Sequence, residues 1–94
     1  MSVSVTQTAT QPKLAFEVDV REGRGSSHHT VTCDPALYER LAGGRGVPAP
    51  AFIEAVFAFL LERESKESIL SRFDVSVVSR YFPDFETEIA SYLA

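Results

Sequence analysis

Between Ala49 and Arg63 the chain reads Ala-Pro-Ala-Phe-Ile-Glu-Ala-Val-Phe-Ala-Phe-Leu-Leu-Glu-Arg, with Glu54 the only charge before Glu62. The prolines of the preceding Gly43–Pro50 loop set up a helix start, so the longest helix of the chain is predicted over about 49–63. Phe52, Ile53, Val56, Phe57, Phe59, Leu60 and Leu61 occupy well over half of its circumference. A helix on the surface of a globular protein shows a polar face, and this one shows almost none. It must be central to the core or covered by a second molecule. The rest of the 94-residue chain has to be arranged around it.

A strand pattern precedes it. Leu14, Phe16, Val18 and Val20 alternate with Glu17, Asp19 and Arg21, the period of a half-buried strand. Glycines in Glu22–Ser27 allow a turn, after which His29, Val31 and Cys33 alternate with His28, Thr30 and Thr32. Together these segments predict a β-hairpin. Asp34-Pro35 is a helix start, because a carboxylate accepts from unpaired backbone N–H groups and proline tolerates a first turn that needs no donor. Leu37, Tyr38 and Leu41 follow at helical spacing, and Gly43-Gly44 closes that short helix.

After the charged junction Glu62–Glu67, Ile69, Leu70 and Phe73 predict a short helix that stops near Asp74, which reads as the next N-cap. Val78, Tyr81, Phe82 and Phe85 continue at helical spacing, but Pro83 disfavours helical geometry at Phe82 and breaks the element there. Phe85, Ile89, Tyr92 and Leu93 form a terminal amphipathic helix. The expected class is α+β: an N-terminal hairpin, a short helix, then a layer of three to four helices. Residues 1–13, rich in Ser, Thr and Gln and without an aromatic side chain, have little to bury and are expected to form a disordered tail before a single domain over 14–94.

Composition narrows the function classes. The net charge is -4, and residues 51–94 carry all of the excess, with eight acidic against four basic side chains. Such a balance argues against a surface that neutralises phosphates. The longest apolar run, Ala55 to Leu61, is far below the roughly 18–20 residues that span a bilayer, and the N-terminus does not read as a secretory signal. A single cysteine allows no internal disulfide. These features lead to the expectation of a soluble cytoplasmic protein.

Each candidate chemistry has a plainer explanation. Cys33 with His28, His29 and Asp34 suggests a thiol nucleophile, yet in one strand His28 points to the other face and His29 lies about 13 Å along it. Adjacent strand histidines project to opposite sides and do not chelate one ion. Gly23–Gly25 and Gly43–Gly46 lack both the Walker and the dinucleotide fingerprints and serve as turns and caps. Ile69 to Phe82 echoes a helix-turn-helix, but its second helix is short, Asp74 stands where glycine is common, and only Arg72 and Arg80 would meet phosphates. Glu62–Glu67 reads as a solvated face, and Asp84, Glu86 and Glu88 suit the first turns of the terminal helix. No catalytic residue, metal ligand or cofactor site is expected, and the chain is read as a non-enzyme.

Eight of the ten Phe and Tyr side chains fall after residue 50, more than one small helical layer readily hides. The expected function is therefore a protein-interaction domain that binds itself or a protein partner through an apolar helical surface. Phe57, Leu61, Tyr81, Phe82 and Phe85 are the candidate interface residues. A nucleic-acid regulator using residues 68–82 is the alternative. Phe59-Leu-Leu-Glu-Arg-Glu-Ser-Lys-Glu-Ser-Ile-Leu70, running into Arg72-Phe-Asp-Val-Ser-Val-Val-Ser-Arg-Tyr-Phe-Pro83, resembles a segment of small bacterial hypothetical proteins. The resemblance implies a bacterial, cytoplasmic source and transfers no site residue.

Overall fold

The computed structural model describes residues 1–93; residue 94, the last of the expected 14–94 domain, lies outside the described residues. The alternation Ser-Val-Ser-Val-Thr-Gln-Thr-Ala makes a strand of its own. This strand, β1 (Ser2–Ala9), pairs antiparallel with β2 (Leu14–Glu22), Val3 opposite Val20 and Val5 opposite Val18. The disordered tail expected over 1–13 is therefore corrected to an edge of the sheet. Cross-strand pairing and the packing of Val3 and Val5 on the core offset the entropy that their small side chains alone could not.

β2 and β3 (Gly25–Cys33) form the expected hairpin, with Glu22 opposite Gly25 and Leu14 opposite Cys33. Gly23, at φ +60°, begins the two-residue turn in a conformation that matches the twist of the strands. Leu14, Phe16, Val18 and Val20 of β2 are buried together with His29, Val31 and Cys33 of β3. Asp19 and His28 are exposed on the opposite face, so the adjacent histidines part as the alternation predicts.

Asp34 caps α1 (Pro35–Leu41), its carboxylate accepting from the Ala36 N–H at 2.8 Å. A 3₁₀ turn over Gly43–Arg45 then leads to α2 (Ala49–Leu61). The helix ends two residues before the expected boundary because the N–H groups of Arg63 and Glu64 both turn back to the Leu60 carbonyl. It is sandwiched between two layers. On the sheet side the Phe57 ring lies 5.3 Å from His29 and 6.0 Å from Phe73. On the other side Phe59 meets Phe82, Phe85 and Tyr92 edge-on at 5.8, 5.1 and 5.8 Å. The missing polar face of α2 is thus explained within one chain.

The short helix expected over Ile69–Phe73 does not form. Arg72–Asp74 is instead a strand, β4, parallel to β3 with Val31 opposite Phe73, and the sheet order is β1-β2-β3-β4. Apolar residues at 69, 70 and 73 suit a helix equally well; the free edge of β3 decides, since the Thr30 N–H donates to the Ser71 carbonyl at 2.8 Å. Asp74 acts as a cap as predicted, accepting from the Ser76 N–H at 3.0 Å, but it caps a 3₁₀ turn over Val75–Val77. Three one-turn helices complete the described residues: α3 (Val78–Tyr81), α4 (Phe85–Glu88) and α5 (Ala90–Leu93). Ahead of Pro83, Phe82 leaves helical geometry at φ -131° and ψ 86°. The architecture is α+β, a four-stranded sheet with helices on one face.

Candidate functional site

Where α2, the loop into β4 and α3 meet, they leave a groove of about 360 Å³. Leu60, Ile69, Phe73 and Val78 are buried among its lining residues, and Leu70, Val77, Tyr81 and Phe82 stand along it nearer the surface. Glu64 is its one charged lining residue and Ser68 its one hydroxyl besides that of Tyr81. Leu70 is 50% exposed and Tyr81 67%, and apart from Met1 they are the exposed large hydrophobic side chains among the described residues.

Polar contacts tie the loop that leads into β4 to the sheet. His29, almost fully buried against Phe57, bridges Ser27 Oγ at 2.8 Å and the Leu70 carbonyl at 2.8 Å. These bonds fix Leu70 with its side chain outward, because its backbone is tied to β3. On the opposite wall Pro83 stops α3 and lets Phe82 pack edge-on against Phe59, leaving Tyr81 beside it in solvent. Lys66, buried in the connecting loop, pairs with Glu67.

Of the five residues expected at an interface, Tyr81 and Phe82 line this groove. Phe57 and Phe85 are fully buried and belong to the core, a correction that follows from α2 being covered on both sides. Leu61 is half-buried and lies apart, in a hollow beside β1. Leu70 and Ile69 were not singled out by the sequence, since a helix over 69–73 would have placed them differently. The helix-turn-helix of the alternative reading, over about 68–82, lacks its first helix, where loop and β4 stand.

Elsewhere the polar residues satisfy one another. On the open sheet face His28 Nδ1 lies 2.8 Å from Asp19, its Nε2 contacts Glu17, and Thr30 donates to Glu17 at 3.1 Å. Asp19 first, and then Glu17, hold the imidazole above its ordinary pKa. Burial, helped by the charges of Asp74 and Asp34, pushes the Cys33 thiol up to about 12, the reverse of what a nucleophile needs. No group of three His, Cys, Asp or Glu side chains is arranged to hold a metal ion among the described residues.

Comparison with known protein families, with curated proteins and with solved structures finds no match. No helix among the described residues is long and apolar enough to cross a membrane.

Proposed function

We propose that the chain is a small, non-catalytic protein-interaction domain of the bacterial cytoplasm, of a kind with the small proteins that its 59–83 segment resembles. It associates with itself and receives an apolar segment of a partner protein in the groove between α2 and α3. The observation that carries the reading is the coincidence of exposure and site: Leu70 and Tyr81, exposed and apolar, flank the same groove. Exposed apolar side chains scattered singly need no explanation, whereas two that border one apolar hollow support the reading of a contact surface there. Fully burying an exposed leucine-sized side chain is worth about 1.5–3 kcal/mol, and covering what remains exposed of this pair contributes part of that for each.

The test is capture from a nuclease-treated bacterial lysate with the full chain and with Leu70→Ser/Tyr81→Ala side by side. Tyr81 is largely in solvent and Leu70 half so, and the double variant is expected to stay folded with at most a small drop in unfolding midpoint. A stoichiometric protein held by the native chain and lost by the variant supports the reading. A partner held equally by both, or one that vanishes with nuclease, overturns it and in the second case promotes the nucleic-acid alternative.

A further inference from the structure

β1 is an edge strand, and along Ser2–Gln7 its outer side presents main-chain N–H and C=O groups that no strand among the described residues takes up. Soluble proteins guard such edges with charge, proline, brevity or a bulge, because an open edge recruits another strand. β1 has no charged side chain and no proline; its pairing is regular over Ser2–Gln7, and a register shift interrupts it between Gln7 and Ala9, at the far end of the strand. The opposite edge, β4, is three residues long and carries Arg72 and Asp74. One edge of the sheet is short and charged, and the other is open over Ser2–Gln7.

We propose that a second copy of this chain pairs with β1, antiparallel across a two-fold axis, joining two four-stranded sheets into one of eight strands. The inference rests on the self-association half of the reading above and shares no residue with the groove. Charge is compatible with this occupant. In an isologous contact each patch meets itself, and β1, which carries no charged side chain in a chain of net charge -4, meets its copy without like-charge repulsion along the strand pair. Geometry agrees. A two-fold axis normal to the sheet and centred on Val5 sets Val5 opposite its copy, Val3 opposite Gln7 and Ser4 opposite Thr6, so every side chain keeps its face.

The same axis brings both α2 helices to one side of the joined sheet. There a second hollow, of about 390 Å³, lies beside β1, lined by Met1, Val3, Ala58 and Leu61 with Glu54 and Glu62. The second copy covers its apolar part and supplies matching residues. Glu54 and Glu62 are the adverse feature, since carboxylates of the two copies approach across the axis.

Sedimentation equilibrium of the full chain up to about 100 μM is the test, a range in which a micromolar dimer is mostly formed. A concentration-dependent dimer is expected. Ser4→Lys/Thr6→Lys should weaken it at least tenfold with no loss of unfolding midpoint, because within one chain these positions face Asp19 and Glu17 of β2 while across the axis they face each other. Glu54→Gln/Glu62→Gln should tighten it. A chain that stays monomeric, or a dimer indifferent to the lysines, overturns the proposal. If that indifferent dimer is instead lost in Leu70→Ser/Tyr81→Ala, self-association belongs to the groove and the interaction reading survives while the edge pairing does not.

Discussion

Asp74 shows how much one side chain can join. Its carboxylate accepts from Thr32 Oγ1 at 2.6 Å, from Lys13 Nζ at 2.9 Å and from the Ser76 N–H at 3.0 Å, tying β3, the β1–β2 connection and one wall of the groove to the end of β4. Burial by itself would raise this carboxyl, but the hydrogen bonds from Thr32, Lys13 and Ser76 outweigh it and bring it down to about 2, from an ordinary 3.8. A carboxyl whose pKa falls on folding stabilises the fold above its unfolded pKa, and the contribution disappears as pH drops through the folded value. Asp74→Asn is therefore expected to lower stability by about 1–2 kcal/mol at neutral pH once solvent screening is allowed for. Urea unfolding of both proteins should show that difference shrinking from about pH 4 to about pH 2.

At the scale of elements, the sequence is legible where a strand or helix buries its own large side chains and mute where a partner decides. The alternation over 14–33 names the faces of β2 and β3, and Asp34 and Asp74 are recognisable as caps because capping is a local act. β1 escapes because its valines are few and its order comes from β2 and α2; its Val/Ser/Thr alternation was the available signal. β4 escapes because its partner is distant and its apolar spacing fits two structures. The groove is half legible: aromatic excess points to Tyr81 and Phe82, but the place of Leu70 depends on distant contacts that tie its backbone to β3, through the Thr30–Ser71 bond and through His29. That bridge gives a test. In His29→Leu the ring that joins Ser27 to the Leu70 carbonyl is gone, and the unmet hydrogen bonds are expected to cost about 1–3 kcal/mol in urea unfolding. A loss no larger than that of Ser27→Ala would show that the Leu70 contact carries little.

As a whole the molecule is a stack of sheet, α2 and short helices, with a radius of gyration of 12.3 Å, near the value of about 12 Å for a compact chain of this length. Its connections differ greatly in reach. The β1–β2 and β2–β3 turns are short, whereas Thr32 and Asp74 are joined across 42 positions. Closing a long loop costs more chain entropy than closing a turn, so strands that are neighbours in sequence assemble before those that are not. The three-stranded meander is accordingly expected to form early and β4 to dock last and leave first. Native-state hydrogen exchange should show the Thr30 amide, which bonds to Ser71, opening at lower free energy than the slowest amides of β2. The groove is built partly from that last arrival. A partner seated there would bind only the finished molecule and would act as a clasp on its final step, slowing the release of β4 and lengthening the lifetime of the native state.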